Sequence, residues 1–187
     1  LILSNYFDEF KSVTPYFNME ERSIKKGYDV VLTEVDSPNL WITEVKSGKL
    51  HSNKSSDQTM NDLIGTAKRD LEERLNEENM SLWLEAINGA KVSFDSNNTM
   101  KSAVINILET WGDDASDGIY SSHDKNVILA GFLFSNLSDV IASENANRKQ
   151  QQIENEQIFN QVCVLALQKD TYSKVYEFLK EEASDEE

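Results

Sequence analysis

Apolar and polar positions follow two different periods along this chain, and each change of period marks an element. Tyr28–Val35 and Leu40–Ser47 are rich in Val, Ile, Thr and Trp, and Asp36-Ser37-Pro38-Asn39 between them consists of turn formers. That pattern predicts a β-hairpin. From Asp57 the residues Met60, Leu63, Ile64, Ala67, Leu71 and Leu75 recur at helical spacing, with Asp57 placed as the N-cap. Helices are also predicted at Ser81–Asn88, stopped by Gly89, and at Thr99–Trp111, where Met100, Val104, Ile107, Leu108 and Trp111 share a face and Gly112 ends the run. Asn126–Ser135 and Gln161–Gln168 are near-continuous apolar runs, as expected of central strands buried on both faces. Between them the polar stretch Glu144–Asn160 is compatible with an exposed helix or a mobile connection.

The ends of the chain read less regularly. Leu3, Tyr6, Phe7 and Phe10 fall on one helical face, Pro15 closes that helix, and Glu20–Lys26 gives a short strand before Gly27 turns into the hairpin. Thr171–Glu182 is read as a last helix with Val175, Phe178 and Leu179 inward, followed by the acidic tail 183–187. Strands and helices in this order predict an α/β fold. Its 187 residues are expected to form a single domain, 1–187, with a segment missing before Leu1. A chain of that length buries about 70% of its unfolded surface.

Composition narrows the function. No apolar run reaches the length of a membrane span, so no membrane partner is expected. Cys163, the only cysteine, cannot form an internal disulfide; its apolar neighbours mark it as a small buried hydrophobe, and a reducing, cytoplasmic compartment is expected. The net charge of −15 is the wrong sign for a chain that holds nucleic acid by neutralising phosphates. Either the substrate is not nucleic acid or another protein holds it. Asp113-Asp114-Ala115-Ser116-Asp117-Gly118 has part of a calcium-loop spacing, but Ala115 stands where a ligand is needed, so calcium is not assigned.

The candidate chemistry lies in the hairpin. With a four-residue loop at Asp36–Asn39, Val35 pairs with Leu40, Val31 lies opposite Glu44 and Asp29 opposite Lys46, all on one face. Residues across or diagonal in an antiparallel pair lie about 5–7 Å apart, so Asp29 and Glu44 can share one cation with Lys46 beside them. The other face carries Val30, Leu32, Trp41, Thr43 and Val45, a set suited to covering by a helix. Two carboxylates and a lysine in an apolar hairpin are costly unless a cation neutralises them. A hard divalent ion does so and carries water that can attack a phosphodiester, while the lysine orients or deprotonates that water.

Asp29, fourteen residues, then Glu44-Val45-Lys46 resembles the motif of the PD-(D/E)xK nuclease superfamily, with Tyr28 in place of the proline. The element order over most of the chain is similar to the nuclease subunit of the Hachiman antiphage defence systems. The resemblance implies a restriction-endonuclease-like mixed central sheet flanked by helices. It implies Asp29, Glu44 and Lys46 as catalytic residues, Asp29 and Glu44 as ligands of Mg²⁺ (with Mn²⁺ as a substitute), and DNA as substrate. It further implies a helicase-like subunit that engages the DNA, which would reconcile that substrate with the acidic chain. Superfamily members often add an acid from the first helix, a place open to Glu9 or to an acid upstream, and a polar residue from the helix after the motif, where Gln58 and Lys68 stand. Lys49 and Lys54, in or beside the polar loop after the motif, are candidate phosphate contacts. Two functions are expected from these residues: a Mg²⁺-dependent DNA endonuclease, or a nuclease-like fold kept as a binding or assembly module.

Overall fold

The hairpin forms the junction of a mixed sheet in the computed structural model, which describes residues 7–13, 29–77, 80–94, 99–136 and 138–170. Five strands, β1 (Phe10–Ser12), β2 (Val30–Glu34), β3 (Leu40–Lys49), β4 (Asn126–Phe134) and β5 (Gln161–Lys169), lie in that spatial order. β1 pairs with β2 and β2 with β3 in antiparallel fashion, whereas β3 with β4 and β4 with β5 are parallel. The helices α1 (Ser56–Leu75), α2 (Met80–Ser93) and α3 (Thr99–Ser116) connect β3 to β4, and α4 (Ser143–Asn155) connects β4 to β5. The fold is therefore α/β, with a five-stranded mixed sheet and four helices among the described residues.

The hairpin register differs from expectation by two residues. Thr33 pairs with Leu40 and Val31 with Ile42, and the amide of Glu34 donates to Asn39 O at 3.1 Å. The loop is still four residues long but comprises Val35–Pro38, one residue earlier. Two sets of bonds hold it there: Thr33 Oγ1 donates to Ser37 O at 3.1 Å, and Glu34 accepts from Asn39 Nδ2 and Trp41 Nε1, both at 3.0 Å. Val35, expected opposite Leu40, instead donates to Glu9 O at 2.8 Å. Moving a loop by one residue moves the register by two, and the pleat has a period of two, so every side chain keeps its face.

The covering of those faces is the reverse of the expectation. Val31, Leu40 and Ile42, on the face of Glu44, belong to the main core with Met60, Ile64, Leu71 and Leu75 of α1 and Leu108 of α3. Leu32, Trp41 and Ile128, on the opposite face, form a smaller cluster with Phe10, Val30 and Cys163 and no described helix. The helix after the motif thus lies over the polar triad. Gly131 in β4 permits its approach, since a Cβ there would overlap the buried Met60 sulfur. At its far side α1 is tied to α4 by a reciprocal amide pair, Asn61 with Asn145, at 3.1 Å in both directions.

Other boundaries were set by tertiary packing. Phe10 is in an edge strand instead of a helix, paired with Glu34 and stacked edge-on against Trp41 at 5.7 Å between centroids. α2 runs through Gly89 because Ala90 and Phe94 beyond it are buried, which outweighs the cost of about 1 kcal/mol for a helical glycine. α3 likewise passes Gly112 to bury Ala115, and the true stop is Gly118, at φ +78°, with Ile119 N donating to Asp114 O at 2.8 Å. Asp113 to Ser116 are helical, so the partial calcium spacing is not a loop there. α1 is capped by Ser55 rather than Asp57, whose Oδ1 accepts from Ala142 N at 2.9 Å. The polar stretch before β5 resolves into α4. β4 is central and buried, whereas β5 pairs with β4 alone among the described strands and is mostly half-buried. The expected strand Glu20–Lys26, the last helix and the acidic tail lie outside the described residues.

Candidate active site

Three side chains come from the hairpin. One step beyond the Val30–Thr43 pair, Asp29 comes level with Glu44, closer than the diagonal placement expected. Asp29 Oδ2 accepts from the amide of Val45 at 2.7 Å, which fixes the carboxylate at the mouth of β2. Glu44 is only 1% exposed. Two residues on, and so on the same face, Lys46 Nζ lies 2.7 Å from Glu44 Oε1 and 2.9 Å from Asp70 Oδ2. The guanidinium of Arg74 donates to the same Oε1, and Arg74 Nε donates to Asp70 O at 3.2 Å. Glu44 Oε2 is buried without a hydrogen-bond partner.

Charge follows from this geometry. Burial pushes the Glu44 carboxyl above its ordinary value and nearby Asp29 adds to the shift, against the pull of Lys46 and Arg74. Burial alone would lower Lys46, but its bonds to Glu44 and Asp70 outweigh that and hold the ammonium above its ordinary value. The bond from Lys46 holds Asp70 below the usual carboxylate range. A buried carboxylate with one oxygen doubly engaged and the other unpartnered suits a further cation, because an unsatisfied charged oxygen carries its full desolvation cost. The donors are hard oxygens, as Mg²⁺ requires. Glu44 and Asp29 supply them; among the described residues no group of three His, Cys, Asp or Glu converges as a metal cluster.

The remaining candidates lie elsewhere. Gln58 belongs to the cap of α1: its side chain accepts from Ser55 N at 2.9 Å while Ser55 Oγ accepts from Gln58 N at 3.2 Å. It is twelve residues before Asp70, about 18 Å along a helix. Lys54 pairs with Asp62, and Lys49 is exposed at the end of β3, on the same side as the cap. Lys68 pairs with Glu72 at 3.5 Å and with Glu156 beyond α4. Glu9, exposed, meets the hairpin loop at Val35, six residues from Asp29, or about 20 Å at strand rise. Asp70 and Arg74, not anticipated, complete the cluster. Their signal was an i, i+4 charge pair flanking the apolar stripe at Leu71 and Leu75.

Among the described residues no helix is long and apolar enough to cross a membrane. The family model HamA matches residues 1–183 of the chain. No curated protein and no solved structure matches it.

Proposed function

We propose that this chain, which belongs to the HamA family, the Hachiman defence protein, is a Mg²⁺-dependent DNA endonuclease of the PD-(D/E)xK type that acts in the cytoplasm with a helicase-like subunit. The observation that carries the reading is the meeting of Asp29, Glu44 and Lys46 on one face, with a buried Glu44 oxygen left without a partner. Asp29 and Glu44 would hold the ion, which supplies a polarised water and neutralises phosphate charge when bound. Lys46, held beside them by Glu44 and Asp70, would orient or deprotonate the attacking water and stabilise charge that develops on the phosphate. Asp70 positions it by holding the ammonium between two carboxylates.

The acidic chain supports a partner that holds DNA. With 33 acidic against 18 basic residues, few surfaces can neutralise many phosphates, and affinity for duplex DNA scales with the phosphates neutralised. The alternative, a module that no longer cuts, draws on the engagement of Glu44 by both Lys46 and Arg74, which balances the carboxylate without a metal. Incubating the full-length chain with plasmid and Mg²⁺, with and without the helicase-like subunit, separates the two. Cleavage that requires the divalent ion and is lost in Glu44→Ala is the expected result. Robust cutting in EDTA, or no cutting under any condition with a folded complex, would overturn the nuclease reading.

A further inference from the structure

Arg74 brings the site a cation of its own. It projects from the last turn of α1, where its Nε is anchored to Asp70 O at 3.2 Å, an acceptor one turn back on the same helix. The anchored guanidinium donates to Glu44 Oε1, the oxygen that Lys46 also engages, so the unpartnered oxygen is Oε2. A guanidinium stays charged at every working pH. The Arg74 side chain is 27% exposed while Glu44 is 1% exposed, so the cation stands on the solvent side of the buried carboxylate.

We propose that Arg74 is a displaceable counter-cation: it neutralises Glu44 when no metal is bound, competes with a divalent ion for that carboxylate, and so sets the ion concentration at which the site loads. The inference rests on the reading of Asp29 and Glu44 as a metal-binding pair. The competition has a defined size, because a charge pair that must be broken before the ion binds lowers the apparent affinity by its own equilibrium constant. About 1.4 kcal/mol corresponds to about tenfold. An arginine with a purely structural role would alter folding and leave the ion's affinity unchanged.

The test is calorimetric titration of Mn²⁺ alone into the full chain, stripped of metal, for the parent, Arg74→Met, Arg74→Lys and Glu44→Gln. Arg74→Met is expected to bind about tenfold more tightly than the parent, Arg74→Lys to stay near it because the charge is kept, and Glu44→Gln to lose the site. Where Arg74→Met fails to fold, Arg74→Gln, neutral but still polar, takes its place. Equal or weaker affinity in the neutral variant, with binding still abolished by Glu44→Gln, overturns the role of Arg74 and leaves the metal pair standing. Absence of Glu44-dependent binding in both parent and neutral variant overturns the two together.

Discussion

The two ends of α1 carry similar residues and have different surroundings. Its N-terminal end, with Ser55, Gln58 and the neighbouring Lys54, is closest in sequence to the motif, yet those side chains bond to one another or to Asp62 in solvent. Its C-terminal end, with Asp70 and Arg74, is more than twenty residues from Lys46 and lies on it and on Glu44. A helix that follows a strand must return along it to reach the next parallel strand, and a twenty-residue helix is about 30 Å long. Its first turn therefore stays at the end of β3 and its last turn comes back over the middle. For a residue in the middle of a strand, the neighbours to look for are one helix length away.

The largest effect should separate the ends by activity. Glu44→Ala and Lys46→Ala are expected to lower divalent-dependent cleavage about a thousandfold, as loss of a metal ligand or of a donor beside the reacting phosphate does. Gln58→Ala, Lys49→Ala and Lys54→Ala are expected to stay within about threefold, since exposed substitutions shift free energies by about 0.5 kcal/mol. Gel assays on plasmid DNA with the assembled complex measure both sets. A parental rate in Lys46→Ala would remove the C-terminal cluster from the chemistry, and a collapse in Gln58→Ala would move the site toward the cap.

The seat of the helix should come next in size. Gly131→Ala forces the buried Met60 sulfur, and α1 with it, away from the sheet. Overpacking of this kind costs about 1–3 kcal/mol, or about 5 °C in unfolding midpoint for a chain of this size. Calorimetry should also show that adding Met60→Ala costs less in Gly131→Ala than in the parent, because the two share one space. Simple additivity would mean that α1 does not rest on Gly131.

The cap gives the third effect, confined to stability. Ser55→Ala should lower stability by about 1 kcal/mol, the usual value of a side-chain N-cap, with cleavage unchanged. Loss of cleavage at unchanged stability would show that the cap reaches the site.

The comparison also explains what could be read from the chain before its fold was seen. Asp29, Glu44 and Lys46 were legible as one face because side-chain parity survives a two-residue change of register; a one-residue change would have scattered them. β4 and β5 were legible as apolar runs, but which of them is central depends on strand order, and order is not local. Gly89 and Gly112 misled for a related reason: their local cost is small beside the burial of Ala90, Phe94 and Ala115 further along. Phe10 fitted a helical stripe equally well, and only its pairing with β2 makes it a strand. Arg74 and Asp70 were ordinary surface charges by sequence, since their partners are fixed by the helix's return path.

The smallest expected effect concerns Asp70 and pH. Lys46 holds its carboxyl below the ordinary value of 3.8, so the folded chain binds that proton more weakly than the unfolded one. The resulting stability is fully present above 3.8 and is lost as pH falls through the folded value. Lys46, raised above 10.5, behaves in the mirror sense: its contribution is present below 10.5 and lost as pH rises through its folded value. Between those limits the pair is intact and its effect is flat. Glu44 shifts the other way, its raised carboxyl favouring the folded state at lower pH, but it titrates in parent and variant alike and largely cancels in their difference. Asp70→Asn should therefore melt below the parent by a constant amount between those limits, and the gap should narrow as pH falls below 3.8. Asp70 is 32% exposed, so solvent screening keeps the gap small, about 2 °C for a pair worth under 1 kcal/mol. Calorimetric midpoints at pH 3, 5, 7 and 9 measure it. A gap that persists undiminished at pH 3 would mean that Asp70 stabilises the C-terminal end of α1 by packing rather than by its charge on Lys46.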